Sequence, residues 1–182
     1  MIADNQQERP RETLSFYIAG FVDGEGSFHV AVQKSENVRL GWQVIPEFHV
    51  SQNRERTATL EIIQKVLDCG HIKPNHRTKA SDRTNVLVVR NRQDLKEKVI
   101  PFFRRYRLIS SKNEDFEKFA EIVESMNKGK HLEPDGLKQI LKIAFSMNAG
   151  GRYRKRTLDQ IVHSLVSSET IRQARQQHDG KI

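Results

Sequence analysis

At 182 residues, 36% of them hydrophobic, the chain is long enough for one sizeable core or two small ones and has a globular composition. Its formal net charge of +8 suits a polyanionic partner, a property shared with ribosomal and membrane-surface proteins. The single cysteine, Cys69, excludes an internal disulfide framework. No run approaches the roughly 18 apolar residues of a membrane span, and the opening MIADNQQERPRE lacks the apolar region of a signal peptide. The expected setting is intracellular, a bacterial cytoplasm or the matrix of a chloroplast or mitochondrion.

In chain order, residues 1–12 are polar, include Pro10 and read as a loose tail. Thr13 or Ser15 is placed to cap a helix running to about residue 23. Its sequence leads into IAGFVDGEG at 18–26, an apolar run with small residues at Ala19 and Gly20, closed by two carboxylates alternating with two glycines. Glycine costs a helix about 1 kcal/mol, so Gly24 and Gly26 read as a helix end where the backbone turns and exposes carbonyls. Residues 27–33 alternate as a strand, with Phe28, Val30 and Val32 on one face and His29, Ala31 and Gln33 on the other. After the polar turn 34–41 comes a second strand, 42–52. Val44, Phe48 and Val50 share one face; Gln43, Ile45, Glu47, His49 and Ser51 share the opposite one, and Pro46 marks a bulge or an edge.

Residues 57–69 carry Leu60, Ile63, Val66 and Leu67 at helical spacing, with Cys69 as a small core residue at the end and Gly70 as terminator. A hairpin follows: a strand at 71–75, a basic tip at 77–83 and a strand at 85–90. Helices are predicted at 94–103 and 113–126, the second with Phe116, Phe119, Ile122 and Val123 inward. An apolar helix at 134–148, the basic loop GGRYRKR at 150–156 and a polar helix from 157 to about 177 complete the chain. The order helix, two strands, helix, two strands, helix predicts an α+β unit on a four-stranded antiparallel sheet. The expected organisation is a tail at 1–12, a core domain at 13–156, and a C-terminal helix and tail at 157–182.

Ala19 and Gly20 have almost no side chain, so the helix bearing them is able to approach a second helix closely. If two copies pack side by side, both Glu25 carboxylates and nearby carbonyls, that of Gly24 included, converge as hard oxygen ligands suited to Mg²⁺. One copy supplies half a site, and the chain contains no second copy of the motif.

The nine residues Ile18, Ala19, Gly20, Phe21, Val22, Asp23, Gly24, Glu25 and Gly26 resemble the LAGLIDADG signature of homing endonucleases. The resemblance continues through the strand after the motif, through FHVSQ at 48–52, and through PFF at 101–103 preceding Ser111, Lys112 and Asn113. From about residue 14 to 157 the element order resembles the single-motif group that acts as homodimers. The resemblance implies a saddle-shaped sheet with helices on one face and the motif helix at a dimer interface made by Ala19, Gly20, Val22 and Asp23. It implies that Glu25 is the metal-binding catalytic carboxylate. Glutamate stands where the signature has Asp, which adds one methylene of reach and leaves the chemistry available. It also implies supporting roles for Gln52, Arg56 and Lys112, with Arg107 as a rival to Lys112. The implied cofactor is Mg²⁺, for which Mn²⁺ substitutes, and the implied partners are double-stranded DNA, a second copy of the chain and its own intron RNA, with no membrane.

A two-stranded ribbon fits the major groove of B-DNA. His29, Gln33, Gln43, Glu47, His49, Ser51, Lys73 and Asn75 are mixed donors and acceptors suited to base edges, and equally the residues of a solvated sheet face; the resemblance favours the first. Ile45 and Ala31 add apolar contacts. Lys34, Arg39, Arg77, Lys79, Arg83, Arg152, Arg154, Lys155 and Arg156 are placed for phosphates, which fix register without reading sequence. The histidines show no zinc-finger spacing, and His71 and His76 read as polar hairpin residues. The expectation is a homodimeric, Mg²⁺-dependent, site-specific DNA endonuclease encoded within an intron and cutting a long pseudo-palindromic target. Two alternatives stay open: an RNA-splicing maturase, against which the intact Glu25 counts, and a non-catalytic DNA-binding regulator, for whose usual helix-turn-helix domain the residues after Thr157 are too few.

Overall fold

The computed structural model describes residues 4–75, 82–151 and 154–165. Helix α1 (Asp4–Glu25) begins well before the expected cap and runs through Pro10. The stretch read as a loose tail is helical instead, and Pro10 lies within it. Ser15 does not cap; its hydroxyl donates to the Arg11 carbonyl one turn back, at 2.9 Å. At the other end α1 passes Asp23 and continues to Glu25, where strand β1 (Gly26–Lys34) starts with no residue between them. Neither Gly24 nor Gly26 has a positive φ, so the expected turn is absent. Gly26 is required for a different reason: a Cβ there would stand 2.5 Å from Val22 Cγ1 and 2.7 Å from the Val22 carbonyl oxygen.

Strands β2 (Trp42–Asn53), β3 (His71–Pro74) and β4 (Thr84–Val89) complete a four-stranded sheet of order β1-β2-β4-β3. Strand β4 pairs antiparallel with both neighbours, Phe48 facing Val89, Val50 facing Leu87, and His71 facing Val88. A 3-10 turn (Arg54–Arg56) leads into α2 (Ala58–Leu67), whose C-cap is Asp68 at φ 51. The helix predicted at 94–103 is longer and not uniform. It comprises α3 (Arg92–Asp94), a π-helical turn (Leu95–Val99) and α4 (Ile100–Arg105), opened by Asn91, whose side chain accepts from the amides of Gln93 at 2.8 Å and Asp94 at 3.2 Å. Next come α5 (Lys112–Asn127), a 3-10 turn (Lys130–Leu132), α6 (Pro134–Ser146) and α7 (Asn148–Gly151). The helix predicted at 134–148 stops at Ser146 because Met147 is extended. Residues 158–165 are helical; the rest of the helix expected there, like most of the basic tip of the β3-β4 hairpin, lies outside the described residues. No helix among the described residues is long and apolar enough to cross a membrane.

The chain divides into two compact units, one formed by residues up to His29 with Pro46–Val123, the other by Val30–Ile45 with the residues from Glu124 on. In the first, Phe28 of β1 is ringed by Phe48, Phe103, Phe116 and Phe119 at centroid distances of 5.2, 5.5, 5.0 and 5.4 Å, all fully buried. Burial of that size stabilises by about 1.5–3 kcal/mol per side chain relative to exposure, which makes this aromatic cluster the anchor of β1. In the second, Trp42, Val44, Leu137, Ile140, Leu141, Ala144, Met147, Ile161 and Leu165 are buried, and the Trp42 indole donates to Ser164 at 2.8 Å.

Candidate active site and nucleic-acid face

The last carbonyls of a helix have no partner within it. In α1 they are met by Lys112, the first residue of α5, whose ammonium donates to the Val22 carbonyl at 3.0 Å and the Gly24 carbonyl at 3.4 Å. A cation at a helix C-terminus also complements the dipole. Burial lowers the Lys112 pKa, and the nearby charges of Asp23 and Glu25 only partly restore it. Asp23 holds the loop that delivers this lysine: one carboxylate oxygen accepts from the amides of Ile109 and Ser110 at 3.2 and 3.0 Å, the other from the Ser110 hydroxyl at 2.5 Å. The Ser110 hydroxyl oxygen in turn accepts from the Lys112 amide at 3.1 Å. Partial burial raises the Asp23 pKa, but the hydrogen bonds from Ser110 and Ile109 and the Lys112 charge outweigh it, and the net shift is downward. Sequence reasoning missed Ser110, although a serine pair directly before a helix is a capping signal.

Glu25, by contrast, is exposed and makes no hydrogen bond or ion pair with any described residue. Its carboxylate and the Gly24 carbonyl are hard oxygens, the donor type Mg²⁺ takes, and Lys112 engages that carbonyl only weakly. No group of three His, Cys, Asp or Glu side chains among the described residues is placed to hold a metal. Gln52, near the end of β2, accepts through Oε1 from the Asn53 amide at 2.8 Å, which leaves its amide hydrogens available. Arg56 on the following turn is exposed, and Arg107 is also exposed. Neither Gln52 nor Arg56 hydrogen-bonds to Glu25 or Lys112, so within one chain the geometry brings together Glu25, Lys112 and Asp23 alone.

The expected interface residues divide differently. Ala19 and Val22, at 3% and 0% exposure, are in the chain's own core, and Asp23 is committed to Ser110. The helical period puts Ser15, Ile18, Ala19 and Val22 on that inner side, and Phe16, Tyr17, Gly20 and Gly24 on the outer one. Phe16 and Tyr17 are 57% and 58% exposed, and a Cβ at Gly20 or Gly24 would meet nothing within 4 Å. The open small-residue pair is therefore Gly20 with Gly24, not Gly20 with Ala19.

On the sheet, Glu47 is not an exposed reader. It is 6% exposed, its carboxylate bonded to the Arg90 guanidinium and 2.9 Å from His49 Nε2, a contact short of a formed hydrogen bond. Arg90 carried no sequence signal. Burial lowers the His49 pKa, while Glu47 pulls it partly back and His29 and Lys73 push it down. The Gln33 and Gln43 side chains bond to each other at 3.1 Å, exposed on adjacent strands. Lys34 is exposed and unpaired, and Ile45, Ser51 and Lys73 are half-buried. Asn75 donates to Asp82 at 3.4 Å, and Arg83 meets Glu55 at 3.5 Å. Arg39 is tied down, donating to the Leu132 carbonyl at 2.5 Å and pairing with Glu133 at 3.5 Å.

Arg154, expected on phosphates, turns inward. It donates to the carbonyls of Val30 at 3.1 Å and Ala144 at 2.8 Å and lies 4.5 Å over the Phe145 ring. Lys155 and Arg156 remain exposed, Arg156 over Trp42 at 5.6 Å. Arg77, Lys79 and Arg152 lie outside the described residues.

Within this α+β fold the motif helix thus ends in an exposed carboxylate beside a lysine that meets its last carbonyls. The chain belongs to the LAGLIDADG endonuclease family, whose model matches residues 18–123. It is 34% identical over 158 residues to "Probable intron-encoded endonuclease 2" of Neurospora crassa, a match covering 86% of this chain and 33% of that protein, so the chain spans about a third of that relative's length. Among solved structures it is similar to the homing endonuclease I-TnaI, with 36% identity, a TM-score of 0.71, and coverage of 85% of this chain and 97% of that one. It is also similar to the archaeal intron-encoded homing endonuclease I-Vdi141I, solved in complex with DNA, with 29% identity, a TM-score of 0.79, and coverage of 87% and 98%.

Proposed function

We propose that this chain is one half of a homodimeric, site-specific homing endonuclease that hydrolyses both strands of a long pseudo-palindromic duplex, from a gene carried within an intron. The observation that carries this is Glu25: an exposed carboxylate without a partner, at the end of a helix whose outer side is open at Gly20 and Gly24. Two such helices packed on those glycines bring two Glu25 side chains to one axis. Together with the Gly24 carbonyls they would offer the oxygen donors that Mg²⁺ takes, with Mn²⁺ as substitute.

A divalent ion held by Glu25 and the Gly24 carbonyl would supply Lewis-acid polarisation of the scissile phosphate and activation of water. The chain's residues do the rest. Lys112, fixed on the Val22 and Gly24 carbonyls, supplies positive charge where negative charge develops on the phosphate. Gln52, its oxygen engaged by the Asn53 amide, offers its amide hydrogens to orient water. Arg56 is an exposed cation available to a phosphate oxygen. The full-length protein incubated with a library of long randomised duplexes and Mg²⁺ should generate discrete cut ends flanked by pseudo-palindromic sequence, and none in EDTA. Absence of cleavage, or cleavage undiminished by EDTA, overturns the proposal.

A further inference from the structure

Glu47 sits on the sheet face among groups that want a base, yet it is buried. Its partners explain why. Phe48 faces Val89 across β2 and β4, so Glu47 and Arg90 are the next cross-strand neighbours. One carboxylate oxygen of Glu47 bonds the Arg90 guanidinium and the other lies 2.9 Å from His49. The Glu47 side chain is 7% exposed, whereas the Arg90 side chain is 59% exposed and makes no other ion pair or hydrogen bond with a described residue. His29 of β1 stands 6.3 Å from His49 between ring centroids, and Lys73 of β3 is close enough to act on His49 electrostatically. His29, Lys73 and Arg90, the last just past the end of β4, thus lie around the Glu47 and His49 pair.

A carboxylate that far from water is a poor acceptor for a base edge, because one of its oxygens is bonded to the Arg90 guanidinium and the other faces His49. A guanidinium is different: it is a planar fork with five donors, and one bond to a carboxylate leaves the outer edge oriented and unsatisfied. That edge matches the two major-groove acceptors of guanine, N7 and O6. Resting on the DNA-cleaving function proposed above, we propose that Arg90 is a specificity-determining residue that reads guanine, and that Glu47 is a positioning residue that fixes Arg90 and His49 and contacts no base itself.

The test is selection of bound duplexes from a randomised library by the full-length protein, wild type and variants, with affinity for the selected site and for an unrelated duplex measured in parallel. Wild type should select guanine at one symmetric pair of positions. Arg90→Ala should lose that choice, weaken the selected site about 10- to 100-fold and leave the unrelated duplex nearly unchanged. Arg90→Lys should likewise bind the unrelated duplex as wild type does and still lack the guanine choice, since it keeps the charge and loses the fork. Glu47→Gln should relax the same positions as Arg90→Ala, and the double variant should select no less stringently there than Arg90→Ala alone. Arg90 lies on the surface, so its variants report even if Glu47→Gln folds poorly. Unchanged selection by Arg90→Ala, or a change by Glu47→Gln at positions of its own, overturns this inference while leaving the endonuclease intact. A wild-type protein that selects no duplex at all overturns the endonuclease and the inference together.

Discussion

Val22 leaves Gly26 no room for a side chain: a Cβ on Gly26 would fall 2.7 Å from the Val22 carbonyl oxygen, a backbone atom. Gly26→Ala should therefore destabilise the fold by at least the 1–3 kcal/mol typical of overpacking. Gly24→Ala, two residues away in the same motif, meets nothing and should leave the isolated chain as stable or slightly more so. Urea denaturation of both variants checks this; equal midpoints would mean that the close approach is unimportant.

The outer side of α1 gives the complementary case. Gly20→Leu places a large side chain where the chain itself has open space, so folding should be retained while helix-on-helix approach is blocked. Sedimentation should show folded monomers, and cleavage should disappear with the dimer. A fully dimeric, active Gly20→Leu protein refutes the packing.

Glu25→Gln preserves shape and removes charge. Binding to the target duplex should persist and cleavage should be lost, because the carboxylate makes no structural bond that glutamine would break. Cutting at the wild-type rate in Mg²⁺ would assign the metal elsewhere.

Asp23 predicts a pH effect. Its pKa in the folded chain is lowered below the ordinary 3.8, so the folded state favours the carboxylate. The stability it contributes is present above about pH 4 and is lost as pH falls through the lowered folded value. Asp23→Asn should therefore be less stable than wild type at neutral pH, with the gap closing on acidification, as followed by thermal unfolding across pH 2–7. A gap that widens in acid would invert the sign.

The basic loop should separate by residue. Lys155→Gln should weaken binding to all duplexes alike and reduce the slope of log affinity on log salt by about 0.9, one phosphate contact. Arg154→Gln should lower thermal stability and barely change that slope, since its guanidinium bonds the Val30 and Ala144 carbonyls. The reverse pattern would put Arg154 on the DNA.

What the sequence reveals here follows from what pattern encodes. Period-two alternation locates β1 and β2, and the helical spacing of Phe116 and Phe119 predicts the side of α5 that closes on Phe28. The nine-residue motif isolates Glu25. Pattern does not say which of two small neighbours faces outward, so Ala19 and Gly20 look equivalent until Ala19 is found in the core. Composition counts Arg154 as a surface cation, because nothing local records carbonyls 124 and 10 residues away in sequence. Glu47 has the alternation of an outward residue, and only its neighbour across the sheet, on another strand, draws it in.

The junction of α1 and β1 has a consequence for how such a chain is able to change over generations. Glu25 and Gly26 are consecutive, helix giving way to strand with no spacer. Inserting or deleting one residue here would rotate the Glu25 carboxylate by about 100° around its helix relative to β1, or flip every side chain of β1 to the opposite face, so the error cannot be absorbed locally. At the polar turn between β1 and β2 the same insertion lengthens a loop and nothing more. Under the function proposed above, new target sequences would be accessible by exchanging side chains along β1, while the count of residues between Glu25 and the first strand position is held constant.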